Sequence, residues 1–199
     1  MIILIDNNDS SVHSISRYIG QLGRTRAVIT HKDITDQYLA SAHPEAIILA
    51  PGAFTRANLH VCNSVIERFY TSVPILATGP GYQSFISLFG GRTKLYFDRA
   101  FSPQVEIIHR GDGVFLGLPN PLQVGQYRSI RTEIQGEDGP LQVIARAKKD
   151  RRIMGVRHKD FPVYGLPFNP GSALTSYGID IIRNFMIVSD QWQEEMAAA

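Results

Sequence analysis

The chain opens with "MIILID", an unbroken apolar run closed by Asp6. A run of this kind suits a strand buried on both faces, and such strands belong to parallel sheets. After "NNDS" the period changes: Val12, Ile15, Ile19 and Leu22 recur at helical spacing, with Ser10 or Ser11 as N-cap and Gly20 and Gly23 marking the exit. The unit then repeats. "TRAVIT" reads as a second strand, "TDQYLASA" as a short helix, "EAIILA" as a third strand, "NSVIERFYTS" as a helix and "VPILAT" as a fourth strand. Strands alternating with helices imply right-handed crossovers and a three-layer α/β sandwich around a mostly parallel sheet.

Beyond Gly91 the pattern shortens. "VEIIH", "LQVGQY", "LQVIARA", "RIMGVRH" and "VYGLPF" are separated by the turn-forming stretches "RGDG", "LPNP", "GEDGP" and "KKDR", which predicts antiparallel hairpins decorating the parallel core. A last helix, "SYGIDIIRNFMIVSDQW", carries Ile181, Ile182, Phe185 and Met186 on one face. With no linker, repeat or low-complexity segment, residues 1–199 read as a single domain.

Composition narrows the function classes. At 199 residues, 44% apolar and 19% charged, the chain can bury a full sheet between helices. The net charge of +2 is spread along the sequence instead of forming a stripe, which argues against a nucleic-acid partner. "RAKKDRR" is the one dense charge run and reads as a solvated hairpin turn. The single cysteine, Cys62, excludes an internal disulfide framework, and no apolar run approaches the length of a membrane span. The expectation is a cytoplasmic protein with no membrane partner. The six histidines lack metal-ligand spacing, so neither a metal nor another cofactor is expected.

The chemistry concentrates in "PILATGPGYQSFISLFGG", residues 74–91: an apolar strand, a glycine-rich corner and an amphipathic helix. Several α/β hydrolytic enzymes present a nucleophile on such a corner. Here the apex is Gly79, followed by Pro80. Thr78, one position earlier, should point away by strand alternation. Cys62 falls on the preceding helix as a small core residue. His158 reads as structural, and His109 and Arg110 as turn residues.

The order of motifs, from "LIDNNDSSVHSISRYIGQLG" through "AIILAPG", "GLPNP" and "IMGVRHKDFPVYGLPFNP" to "IIRNF", resembles the class I glutamine amidotransferases. Within them it resembles the small subunit (component II) of anthranilate synthase and aminodeoxychorismate (para-aminobenzoate) synthase. The resemblance implies a flavodoxin-like core and hydrolysis of glutamine by a Cys-His-Glu triad, with ammonia passed to a chorismate-binding partner.

The triad is where this sequence departs. Against the family's Gly-x-Cys-x-Gly-x-Gln stands "ATGPGYQ", with Gly79 at the nucleophile's position. Pro80 has no N–H to lend to an oxyanion hole. The family's His-Pro-Glu becomes Asn169-Pro170-Gly171; an asparagine makes no general base near neutral pH, and a glycine orients nothing. The Pro-Gly-Pro-Gly loop becomes "PGAF", which keeps Gly52 and sets Phe54 at a narrower mouth. Tyr82 and Gln83 of the elbow, and Ser129 and Ile130 of "YRSI", stand where the family's glutamine pocket would be.

The sequence therefore leads to a degenerate, catalytically inactive member of this family: a structural or regulatory subunit for a chorismate-using synthase, or a homo-oligomer. Two alternatives stay open on sequence alone. One is a small-molecule sensor built on Phe54, Tyr82, Gln83 and Asn169; the other is residual or altered amidotransferase activity.

Overall fold

In the computed structural model, which describes residues 1–96, 102–126, 129–136 and 138–198, the chain forms eleven strands and five α-helices among the described residues. The first half alternates as the apolar pattern requires: β1 (Ile2–Asn7), α1 (Ser11–Gln21), β2 (Arg26–Thr30), α2 (Asp36–Ala42), β3 (Ala46–Gly52), α3 (Arg56–Phe69), β4 (Ile75–Thr78) and α4 (Pro80–Leu88). The second half adds β5 (Arg92–Tyr96), β6 (Gln104–His109), β7 (Leu122–Gly125), β8 (Ser129–Glu133), β9 (Leu141–Ala147), β10 (Ile153–His158), β11 (Val163–Leu166) and α5 (Gly178–Ala198).

Nine strands make one sheet in the order β2-β1-β3-β4-β11-β10-β9-β6-β7. Pairing is parallel from β2 to β11 and antiparallel from β11 to β7. Alternation along β1 explains the three layers. Ile2 and Leu4 join Val12, Ile15 and Ile19 of α1 and Ile181, Ile182 and Phe185 of α5 on one face. On the other, Ile3 and Ile5 meet Leu39 of α2, Val65 and Ile66 of α3, and Phe85 and Ile86 of α4. Burying both faces is what makes "MIILID" apolar throughout.

The antiparallel strands extend the central sheet rather than decorate it. β11 forms the expected antiparallel hairpin with β10 and, on its other edge, pairs parallel with β4 from Val163↔Ile75 to Leu166↔Thr78, which joins the antiparallel strands to the parallel core. The strand is a short, fully buried run, and composition alone does not encode that second pairing. β5 and β8 form a separate two-stranded ribbon that the apolar pattern does not predict. Their residues, "RTKLY" and "SIRTE", are polar at most positions and carry only a weak apolar alternation.

Helix boundaries show which local signals governed. Ser10 sits at the N-cap of α1 without a side-chain bond; the Ser11 N–H donates instead to Asp9 Oδ1 at 2.8 Å, and the Asp9 N–H to Asp6 Oδ1 at 3.1 Å. Gly20 lies inside α1, where a Cβ would come within 2.5 Å of the Arg26 guanidinium, and the exit glycine is Gly23 at φ +75°. α3 starts at Arg56, ahead of the expected start at Asn63, because the Thr55 hydroxyl accepts the Asn58 N–H at 3.1 Å.

The histidines singled out in the sequence do structural work. His109 stacks on Phe115 with centroids 4.8 Å apart, and its ring nitrogens bond the Pro119 carbonyl and the Gly111 N–H. His158 packs edge-on to Phe89 at 4.8 Å, and its Nδ1 accepts the N–H groups of Asp160 and Phe161. An Nδ1 that accepts twice belongs to a neutral ring with its proton on Nε2. Burial holds the His158 pKa below its ordinary 6.5, with Asp160 opposing in part. A lowered folded pKa means that protonation favours the unfolded chain. The His158 contribution is therefore complete above pH ~6.5 and is lost as pH falls below it. Melting temperatures measured between about pH 7.5 and pH 5 should fall more steeply for the wild type than for His158→Gln; equal slopes would remove His158 as the cause.

Candidate functional site

The parallel half of the sheet sends its loops out at one edge. In register, Asn7 of β1 faces Gly52 of β3, and Thr78 of β4 faces Leu166 of β11. The segments that follow these strands, starting at Asn8, Ala53, Gly79 and Pro167, leave the sheet together, and open α/β sheets bind ligands at such an edge. Between them lies a cavity of about 270 Å³. It is lined by Asn8 and Asp9, by Pro51 to Phe54, by Gly79, by Ile130 of β8, and by Pro167 to Asn169.

Gly79 has φ 53° and ψ −123°, a positive-φ conformation that glycine adopts without the strain other residues meet there. It opens α4 without a side-chain cap bond, and Pro80 occupies the first helical turn. A Cβ built on Gly79 would lie 3.0 Å from both the Gly52 nitrogen and the Pro51 Cα. The corner has the shape of a nucleophile elbow, and backbone crowds the position of a side chain at its apex.

That backbone is fixed from below. The buried Asn58 amide donates to the Asn7 carbonyl at 3.0 Å and to the Ala53 carbonyl at 2.7 Å, tying the end of β1 to the loop after β3. Asn7 Nδ2 donates to the Ala50 carbonyl at 2.8 Å. Gly52 packs so closely that a Cβ there would sit 2.2 Å from the Asn7 carbonyl oxygen. No residue larger than glycine fits at that position without moving β1 or β3.

Asn169 is held by its own backbone. Its N–H donates to the Gly125 carbonyl at 3.0 Å, its carbonyl accepts the Thr175 hydroxyl at 2.7 Å, and Thr175 Oγ1 accepts the Gly125 N–H at 2.8 Å. The residue is only 2% exposed, and its Oδ1 accepts the Gly171 N–H at 2.8 Å. Nδ2 is buried with no hydrogen-bond partner among the described residues. A Cβ on Gly171 would stand 2.9 Å from Ile15 Cγ1 and 3.1 Å from the Ser11 carbonyl. Position 171 is thus pressed against α1.

Of the sequence-predicted positions, Gly52, Phe54, Gly79, Ile130 and Asn169 meet at the cavity, while Pro80, Tyr82, Gln83 and Gly171 do not line it. Tyr82 is a correction to the predicted pocket. Helical geometry turns it into the core, fully buried, with its hydroxyl 2.7 Å from Thr132 Oγ1, where it pins α4 to the β5–β8 ribbon. Gln83 lies one turn into α4, its N–H reaching back to the Gly79 carbonyl at 3.3 Å. The backbone of Ser129 opens β8 opposite Tyr96. Tyr127 and Arg128 of "YRSI" lie outside the described residues. Asn8 and Asp9, missed as cavity residues, could have been suspected from "NND" directly after the first buried strand, and Asn8 has φ 64°.

No other nucleophile takes Gly79's place among the described residues. The cavity lining contains no Cys, Ser, Thr, His or Lys. Thr78 is buried and donates its hydroxyl to the Leu49 carbonyl at 2.8 Å. Cys62 is fully buried, 3.9 Å from Asn7 Oδ1, and burial pushes its thiol pKa up to about 12. Among the described residues no group of three or more His, Cys, Asp or Glu could hold a metal ion, and no helix is long and apolar enough to cross a membrane.

A parallel-sheet crevice with a glycine-apexed elbow on β4 defines the class of protein. Comparison with known proteins agrees: residues 3–189 match the family glutamine amidotransferase class-I, and the chain belongs to it. Among its relatives, anthranilate synthase component 2 of Methanothermobacter marburgensis is 34% identical over 94% of this chain and 97% of its own. Anthranilate synthase component 2 of Pseudomonas aeruginosa is 35% identical over 94% of each. Aminodeoxychorismate/anthranilate synthase component 2 of Bacillus subtilis is 31% identical over 94% and 95%. In fold, the chain matches the crystal structure of a putative GMP synthase subunit from Thermoplasma acidophilum, with TM-score 0.84 and 23% identity, covering 98% of this chain and 96% of that one.

Because the buried Asn58 amide joins the end of β1 to the loop after β3, Asn58→Ala should cost about 1–3 kcal/mol, the loss of its two hydrogen bonds to the Asn7 and Ala53 carbonyls. The Asn7 carbonyl keeps the Ala53 N–H. Urea unfolding should show a lower midpoint with an unchanged slope; an unaltered midpoint would mean that the loops are held elsewhere.

Proposed function

We propose that this chain is a non-catalytic member of its family, serving as a structural or regulatory subunit for a chorismate-using synthase. The observation that carries the reading is the crowded elbow. Where the triad would require side chains at 79 and 171, a Cβ would come within 3.0 Å of the Pro51–Gly52 backbone and within 2.9 Å of Ile15 Cγ1. Loss of the thiol alone would be one inactivating change in a working site. Backbone and core closing on both vacated positions support a surrounding structure rebuilt without them.

Three chemical needs of glutamine hydrolysis go unmet: a nucleophile, a base to activate it and a donor N–H from the residue after the nucleophile. Gly79, Asn169 and Pro80 stand in those places. The scaffold is kept, and its relatives carry the name of a second synthase component, so the partner to test first is the first component of an anthranilate or aminodeoxychorismate synthase. In this reading the chain stabilises or regulates that partner, which takes ammonia from another source.

Glutamine-dependent ammonia release should stay at background with and without that partner, and release above background would overturn the reading. The combined substitutions Gly79→Cys, Asn169→His and Gly171→Glu should not restore full activity. Pro80 still withholds one oxyanion donor, a loss worth about 10²–10³ in rate, so the triple variant should stay at least about a hundredfold below an intact amidotransferase. Full recovery would show that Pro80 and the closed backbone matter little.

A further inference from the structure

A second concavity lies at the other end of the sheet. β10 runs antiparallel to β11, so its last residues sit away from the elbow, where His158 faces Leu141 at the start of β9. Beside them is a cleft of about 620 Å³, more than twice the volume at the elbow and of a size that takes an organic metabolite. Ile134, just past β8, and Leu141 give it an apolar wall.

The charge of this cleft has one sign. Arg110 after β6, Arg146 of β9 and Lys159 after β10 line it, and among the described residues no aspartate or glutamate does. For a chain of net charge +2, three cations from three segments on one concavity are a local concentration of positive potential. Asp112, Asp138 and Asp160 belong to the adjoining turns and stay out of the lining. The Asp112 carboxylate stands 3.5 Å from Arg110 Nε with both side chains about half exposed, a pairing that contributes little in water. Arg146 is oriented by its Nη1, which donates to the Arg151 carbonyl at 3.0 Å. Gln142 adds a donor: its Oε1 accepts Arg157 Nε at 2.7 Å, which leaves the amide NH₂ as the group it can offer. The run "RAKKDRR" thus divides, with Lys148 paired to Glu106 at 3.1 Å and Arg152 to Asp150, while Arg146 belongs to the cleft.

We propose that this cleft binds a small organic polyanion, a molecule carrying two or more negative charges on phosphate or carboxylate groups, held by the Arg110 and Arg146 guanidinium groups and the Lys159 ammonium. Guanidinium forks match either kind of oxyanion. A single negative charge offsets one of the three cations, so affinity rises with the charge of the ligand. The apolar wall favours a ligand with a carbon body over a bare inorganic ion. Because the cleft lies at the end of the sheet away from the elbow, the proposal holds whether or not the elbow is catalytic.

The test is calorimetric titration of the intact chain with pyrophosphate, citrate and acetate at one fixed ionic strength. Pyrophosphate carries its charges on phosphates and citrate on carboxylates, so their order identifies the source, and acetate is the singly charged control. At least one of the two polyanions should bind one to one, at least about tenfold more tightly than acetate. Arg110→Gln and Arg146→Gln should each weaken that binding by about tenfold, the loss expected for one charged hydrogen-bonding partner. Arg110 lies in a turn, outside the strands, so Arg110→Gln is the independent check if Arg146→Gln does not fold. Equal affinity for all three anions, no binding of any at millimolar concentration, or an affinity that a folded variant leaves unchanged would overturn the proposal.

Discussion

The backbone at Gly79 is the constraint on which the site depends. With φ 53° and ψ −123°, it turns β4 into α4 within one residue and sets the helix end against the loop after β3. Glycine meets both demands without strain: the conformation costs any other residue, and a Cβ would stand 3.0 Å from the Gly52 nitrogen and the Pro51 Cα, so that the backbone would have to give way. The corner carries glycine and joins β4, α4 and the loop after β3 in one packed junction.

The junction is supported on both sides. Asn58 and Asn7 pin the β1 and β3 ends together from beneath, and Tyr82 fastens the first turns of α4 to Thr132 of the ribbon that carries Ile130. On the far side, Thr175 and Gly125 hold the Asn169 backbone. These are buried, directional bonds, and removing one partner leaves the other unsatisfied. Together they fix the frame of the cavity between the β1, β3 and β4 ends and Asn169.

How far the sequence could be read depended on how much local pattern each feature carries. β1, β3 and β4 were legible because strands buried on both faces are apolar throughout, and α1 and α5 because their buried stripes recur at helical spacing. The hairpin of β10 and β11 was legible from its turn, but the parallel pairing of β11 with β4 was not, since it is a long-range fact that a four-residue apolar run does not encode. β5 and β8 escaped because their polar residues are stabilised by each other and by Tyr82. At the site, Gly79, Asn169 and Gly171 could be placed from motif order alone. Tyr82 could not, because whether a helical side chain faces a cavity or the core is decided by the rotation of α4 on the sheet. Nor could the closing of Pro51 on the elbow, which involves no side chain at all.

If the elbow now serves as a packed corner with no room for a side chain at its apex, the unfolding free energy of Gly79→Ala against the wild type should report it. A single methyl group adds no chemistry, so the comparison reads the corner alone. The expected result is a loss of about 1–3 kcal/mol from positive-φ strain together with the close contact at Pro51 and Gly52. Stability equal to or above that of the wild type would contradict the packed corner, and would mean that the elbow still has space for the residue its family places there.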